Sequence, residues 1–231
     1  MKIGGLQKFS LIDYPGKISA VVFVQGCNFR CPYCHNRELV LPEHFSTIIT
    51  EEEVLEFLEI RKGKIEGVVI TGGEPTIFPD LPDFLTKTKR LGYYTKLDTN
   101  GSNPEMLKLI IERKLVDYIA MDIKAPLEKY KEITCSEVEV EKITHSMELI
   151  KTSGIEYEFR TTVIYGVHTY TDILKICNLI KESNRYVLQN FYPSQNLVDQ
   201  DFQSKIGFPE EELSKIEKKL SSQFKHFYVR N

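Results

Sequence analysis

The sequence predicts an α/β fold, a partial (β/α)6 TIM-like barrel. Three observations point there. Short apolar runs rich in β-branched and aromatic residues alternate with longer stretches of helical periodicity, the pattern of repeated βα units around a parallel sheet. Six such units are too few for the usual eight-stranded closure, so a barrel with an open side is expected. The chemically rich segments also fall where predicted strands end, and barrels of this kind gather their sites there.

Strands are read at Ile18–Val24, Gly67–Thr71, Tyr94–Thr99, Tyr118–Lys124, Glu156–Val163 and Tyr186–Phe191, with Phe227–Val229 as an added edge strand. Helices fill the gaps at Glu51–Arg61, Leu81–Leu91, Pro104–Arg113, Val140–Ser153, Tyr170–Ser183 and Glu210–Leu220. Thr50 followed by Glu53 is a capping-box start, and Asn103 before Pro104 reads as a cap and first turn. Gly92 and Gly154 stand where helices stop. The chain has no repeat, no low-complexity tract and no long linker, so residues 1–231 are expected to form a single domain.

With 231 residues, 42% of them hydrophobic and 27% charged, the chain is large enough to bury a substantial core. A formal net charge of −3, with lysines interspersed among glutamates as in EEELSKIEKKL, gives no footprint for nucleic acid. The opening MKIGGLQKFSLIDYPG has neither the apolar core of a secretion signal nor a transit-peptide charge pattern, and no segment is long enough to cross a bilayer. A cytoplasmic protein with reduced thiols is expected, because five cysteines are odd in number and do not form a disulfide framework.

Cys27, Cys31 and Cys34 form a C-x3-C-x2-C run in GCNFRCPYCHN. A structural zinc site normally closes with four protein ligands, whereas a cubane held by three thiolates leaves one iron open. His35 is adjacent to Cys34, too close to complete the usual paired zinc spacing. Gly72, Gly73 and Glu74 follow the second strand in TGGEPTIFPD, either as a tight turn or as a close-approach loop whose carboxylate receives a cation. LDTNG at the third strand's end is a turn by its Asn-Gly, yet Asp98 stands at the strand end. Asp98 and Lys124, of MDIKAP one strand away, have the parity to pair across the sheet.

Arg160 lies in the otherwise apolar EFRTTVI, where it needs an anion, either a bound one or a carboxylate such as Glu74. Gln189 and Asn190 end the sixth strand and are expected at most to satisfy backbone groups. Cys177 sits on an apolar helical stripe and belongs to the core, while Cys135 falls in a predicted loop. His145, His168 and His226 read as surface or satisfied residues.

The cysteine run, with Tyr33 at the aromatic position of C-x3-C-x-aromatic-C, and the GGE segment together resemble the radical S-adenosylmethionine (SAM) enzymes. Over Phe9 to Phe191, the segments FSLIDYPG, FVQGCNFRCPYCHN, TGGEPT, LDTNG and MDIKAP are similar to the glycyl-radical enzyme activating enzymes, most of all to those serving anaerobic ribonucleoside-triphosphate reductase. The resemblance implies the radical SAM type of partial barrel and a [4Fe–4S] cluster on Cys27, Cys31 and Cys34. Reductive cleavage of SAM there would yield a 5′-deoxyadenosyl radical that takes a hydrogen from a glycine of a partner enzyme.

It further implies that Tyr33 and the backbone around His35 face adenine, that Gly72, Gly73 and Glu74 address the methionyl amine, and that Asp98 and Lys124 bracket ribose and carboxylate. A monovalent cation held by Asp98, Asp122 and Thr99 is a further implication, as is an electron from reduced flavodoxin or ferredoxin. No cysteine lies between Cys34 and Thr71, so one cluster is expected. Two alternatives stay open: a radical SAM enzyme acting on a small molecule, such as a deazapurine biosynthesis synthase, and a zinc-binding interaction module.

Overall fold

The computed structural model describes residues 1–230. Eight strands lie side by side in chain order in one sheet. They are β1 (Ile3–Ser10), β2 (Ser19–Val24), β3 (Gly67–Gly72), β4 (Tyr94–Thr99), β5 (Tyr118–Asp122), β6 (Glu156–Val163), β7 (Arg185–Asn190) and β8 (His226–Arg230). β1 is antiparallel to β2, and every later neighbour is parallel. β1 and β8 are the two edges and do not pair with each other, which leaves a partial barrel open on one side.

The helices are α1 (Arg37–Val40), α2 (Glu51–Ile60), α3 (Leu81–Arg90), α4 (Pro104–Glu112), α5 (Tyr130–Thr134), α6 (Val140–Thr152), α7 (Tyr170–Leu179) and α8 (Glu210–Leu220). The expected capping box of α2 is formed, with Thr50 Oγ1 accepting from the Glu53 amide and the Glu53 carboxylate accepting from the Thr50 amide. Asn103 caps α4 by accepting from the Met106 amide, ahead of Pro104. Among the described residues, no helix is long and apolar enough to cross a membrane.

Near-continuous apolar runs suit β2, β3 and β5, which are buried on both faces, while β4 and β6 place charged residues on the inner face. Val22, Ile70, Leu97, Ile119 and Phe159 point outward into the large core shared with the helices. Val21, Val69, Tyr118 and Ala120 form a second cluster inside the barrel, where Tyr14 from the β1–β2 hairpin joins them. Tyr14 lies 5.9 Å ring to ring from Tyr118. Gly67 makes room for it, since a Cβ there would lie 2.8 Å from the Tyr14 ring.

The six expected parallel strands are present, and the edge strand expected at Phe227–Val229 runs over His226–Arg230. β1 was not expected. Its sequence IGGLQKFS carries two glycines and three consecutive exposed residues, so it lacks the alternation that marks a strand. The strand expected to reach Lys124 stops at Asp122, because the Lys124 amide donates to the Tyr130 hydroxyl (3.1 Å). The helix expected to reach Ser183 ends at Leu179. The short α1 and α5 carry too few residues for a periodic signal.

Candidate functional site

One pocket opens at the C-terminal ends of the parallel strands, and every residue the sequence singled out for the site lines it. Cys27, Cys31 and Cys34 arrive on the loop after β2, with Tyr33 and His35 beside them. Gly72, Gly73 and Glu74 arrive at the end of β3, and Asp98 and Lys124 at the ends of β4 and β5.

The cysteine loop is held from three sides. Arg30 folds back to donate to the carbonyls of Cys27 (2.6 Å) and Phe29 (2.8 Å), and its amide donates to Thr134 O (3.0 Å) at the end of α5 and to Ser136 Oγ (2.9 Å) just after it. On the other side the amides of Val198 and Asp199 donate to the carbonyls of Cys34 and Pro32, each at 3.0 Å. All three sulfurs are free thiols. Burial pushes the Cys27 thiol up to about 12 and the Cys31 thiol to about 11, and it raises Cys34 as well.

This donor set fits a cubane. Three cysteines from one short loop line a shared pocket, and as thiolates they would hold such a cluster with one iron left open. Among the described residues, no three cysteine, histidine or carboxylate side chains converge as ligands of a single ion. The Tyr33 hydroxyl is buried beside the same loop without a hydrogen-bond partner, a polar group with capacity left for a ligand.

The two glycines have a steric reason of their own. A Cβ on Gly73 would lie 1.9 Å from the carbonyl oxygen of Gly26, and one on Gly72 would lie 2.5 Å from the Val24 amide. Their absent side chains let β3 close against the root of the cysteine loop, where the Gly73 amide donates to Val24 O and the Glu74 amide to Gly26 O, both at 2.8 Å. Glu74 is thereby pressed inward to 1% exposure. Its Oε1 accepts from the Thr76 hydroxyl (2.6 Å), the Thr76 amide (3.1 Å) and the Thr99 hydroxyl (2.7 Å), and its Oε2 from the Asn100 amide (2.6 Å). Burial raises its carboxyl despite these four donors. Oε2, with one donor, keeps room for another.

Opposite Glu74 runs a chain of alternating charges, and it differs from the expected Asp98–Lys124 pair. Asp98 instead pairs with Lys96 and with Arg160 Nη1 (3.0 Å), while Lys124 pairs with Asp122 (3.0 Å). Arg160 Nε also reaches Asp122 (2.8 Å), so the guanidinium bridges both aspartates and not Glu74. The reach of arginine explains this: it spans two strands, whereas Lys124 lies past the end of β5 beside its own aspartate. Arg160 occupies the position between the two carboxylates that a monovalent cation was expected to take, and Thr99 is turned to Glu74.

Burial alone would raise Asp98 and Asp122, but Arg160 and the lysines outweigh it and hold both below the usual carboxylate range. Lys124 stays protonated, since Asp122 overcomes the opposing effect of burial. Lys96, Arg160 and Lys124 against Asp98 and Asp122 give the chain itself one net positive charge, which the Glu74 carboxylate across the pocket offsets. Lys124 lines the pocket and suits an anionic ligand group such as a carboxylate.

His168, read from the sequence as a surface or satisfied residue, is buried behind the site. Its Nδ1 accepts from the Ile164 amide (3.2 Å), its Nε2 donates to the Lys124 carbonyl (3.0 Å), and its ring stands edge-on to Tyr33 at 6.4 Å. His35 Nε2 donates to Tyr192 O (2.6 Å), which ties the cysteine loop to the segment after β7. Asn190 satisfies the amide and carbonyl of Phe208 (2.7 and 3.1 Å). Cys177 is in the core, and Cys135 is exposed at the end of α5.

Sequence reasoning missed Asn28 and Asn100. Asn100 Nδ2 donates to Asn28 Oδ1 (3.0 Å) while its amide holds Glu74, so the cysteine loop and the glutamate share one support.

Comparison with known proteins gives the same picture. The model of the Radical SAM superfamily matches residues 21–180. A Methanocaldococcus jannaschii protein that carries the name of a glycyl-radical enzyme activating enzyme is 39% identical over 226 residues, covering 94% of this chain and 92% of that protein. The pyruvate formate-lyase-activating enzyme of Clostridium pasteurianum is 35% identical over 132 residues, about half of each chain (53% and 52%). Streptococcus suis SuiB, solved with S-adenosylmethionine, has a similar fold with a TM-score of 0.72 at 15% identity, covering 91% of this chain and 50% of that one.

Proposed function

The chain belongs to the radical SAM superfamily and is a glycyl-radical enzyme activating enzyme, and from that premise we propose that its partner is anaerobic ribonucleoside-triphosphate reductase. The observation that carries the activating role is the 39% identity over 94% of the chain to a protein of that name. The reductase is favoured by FSLIDYPG and GCNFRCPYCHN, read together with TGGEPT, LDTNG and MDIKAP.

In this reading Cys27, Cys31 and Cys34 would hold a [4Fe–4S] cluster, which when bound and reduced would supply the one-electron chemistry that cleaves SAM. Every remaining task falls to the chain. The open lone pair of Glu74 Oε2 accepts from the methionyl ammonium, and Thr76, Thr99 and Asn100 keep that carboxylate aimed at the pocket. Lys124, fixed by Asp122 and by the His168 bond to its carbonyl, faces the SAM carboxylate. Asp98 is held ionised by Arg160 and Lys96 and accepts from a ribose hydroxyl. Tyr33 and the backbone at His35 border the adenine. Reduced flavodoxin or ferredoxin supplies the electron.

The barrel's open side admits a polypeptide loop, and the partner's bulk excludes water around the reacting centre. The test is to reconstitute the chain anaerobically and incubate it with SAM, reductant and the reductase, following the mixture by electron paramagnetic resonance. A glycine-centred doublet on the reductase is expected. A doublet that arises only on another glycyl-radical enzyme of the same genome would overturn the choice of partner.

A further inference from the structure

The inward faces of β7 and β8 look into the open side of the barrel and carry polar groups outside the pocket. Arg185 Nη1 donates to the Tyr118 hydroxyl (3.1 Å) inside the barrel, and its guanidinium lies 5.8 Å from the Tyr228 ring. Arg230 approaches the buried Glu158 from the same side. Alternation along each strand then puts Gln189 on this face, in register with Thr162 on one side and Arg230 on the other. Thr162 lines the pocket. The wall and the pocket are therefore one continuous surface, with Gln189 roughly 5 Å and Arg230 roughly 10 Å beyond Thr162 at the usual strand spacing.

Neither outer residue is fully engaged. Arg230 lies 3.9 Å from Glu158 Oε2, beyond hydrogen-bond distance, and its side chain is 46% exposed. Gln189 is half-buried, and its carboxamide donates and accepts no side-chain bond among the described residues. Asn190, its neighbour, is in contrast fully committed to Phe208.

We infer that Gln189 and Arg230 bind the main chain of the glycine-bearing segment of the partner, an assignment that rests on the partner being a polypeptide. Glycine offers no side chain, so a protein that must seat it at the pocket has only amide groups to grip. A carboxamide presents an N–H and a C=O together, the complement of a peptide unit, and a guanidinium presents a fork of donors to carbonyl oxygens. Arg185 and Tyr228, already locked against Tyr118 and each other, form the rigid backing.

The probe is a short synthetic peptide centred on the radical glycine of the reductase, titrated against the SAM-loaded chain. Gln189→Ala and Arg230→Ala should each weaken peptide binding about tenfold, the scale of one lost hydrogen bond, with SAM affinity unchanged as evidence of an intact fold. Gln189→Glu, which keeps an acceptor but loses the donor, should fall between. Wild-type peptide affinity in both alanine variants, or no binding of the peptide by the wild type, overturns the assignment. If the peptide binds through these residues but the reductase never acquires a radical, the wall stands and the choice of partner falls. If the radical forms equally well in wild type and variants, the partner stands and the wall falls.

Discussion

His168 serves two walls of the site with one ring, bonding the Lys124 carbonyl at Nε2 while standing edge-on to Tyr33. Burial holds its pKa below the ordinary value of 6.5. The unfolded chain therefore takes up this proton before the folded chain does. Stability from a neutral His168 is complete above the unfolded value and is lost as pH falls through it, by about 1.4 kcal/mol for each unit of depression. The urea midpoint of the chain should drop between about pH 7.5 and pH 5.5, and His168→Gln should flatten that drop. An equal drop in the variant would remove His168 as its source.

Asn100 makes a second case at this scale. Asn100→Ala should keep the Glu74 amide bond but lose the tie to Asn28, weakening SAM several-fold in a calorimetric titration while the cluster's absorbance persists. The residue types of the site were legible in the sequence, because the spacing of Cys27, Cys31 and Cys34 is specific and Glu74, Asp98 and Lys124 fall with it at the ends of predicted strands, although GGE and LDTNG also read as turns. Their partners were not. LDTNG reads as a turn, and nothing in it reveals that Asn100 supports a glutamate and an asparagine from two other segments.

Among the elements, the junction of β3 with the cysteine loop is the least forgiving. Gly73 is a matter of space: a methyl there would meet the Gly26 backbone at 1.9 Å, and backbone cannot rotate away. Gly73→Ala should cost at least the 1–3 kcal/mol typical of overpacking and should displace the cysteine loop. Urea unfolding and iron uptake measured on one preparation check this, and a variant with wild-type values in both would refute it. β2, β3 and β5 were legible because a strand buried on both faces is apolar almost throughout, and β6 because its apolar residues alternate with polar ones. β1 was not, since it needs neighbours on one side only and spends two positions on glycine. The segment that carries Val198 and Asp199 was also invisible, because it holds the cysteine loop through main-chain amides that any residue supplies.

For the whole molecule, the sheet's open side and its single cysteine-lined pocket set what can be loaded and what can enter. Cys27→Ala, Cys31→Ala and Cys34→Ala should each abolish the cluster, while Cys177→Ala, on the far side of the core in α7, should retain about four irons and four sulfides. Equal loss from Cys177→Ala would contradict the assignment. The charge chain from Lys96 to Lys124 belongs to this scale too, because its pairing depends on how far adjacent strands stagger and on a long arginine that bridges them. Parity places Asp98 and Lys124 on neighbouring strand ends, but it does not say that Arg160 will come between the aspartates.

In the proposed reaction, a hydrogen passes from a glycine of the reductase to the deoxyadenosyl group at this pocket. This transfer is tested most directly by preparing the reductase with α-deuterated glycine, incubating it with the reconstituted chain, SAM and reductant, and analysing the 5′-deoxyadenosine by mass spectrometry. One deuterium in the deoxyadenosine is expected, appearing together with a glycine-centred signal on the reductase. Deoxyadenosine without deuterium, released faster when a small purine precursor is added, would contradict the transfer and make the chain a small-molecule enzyme.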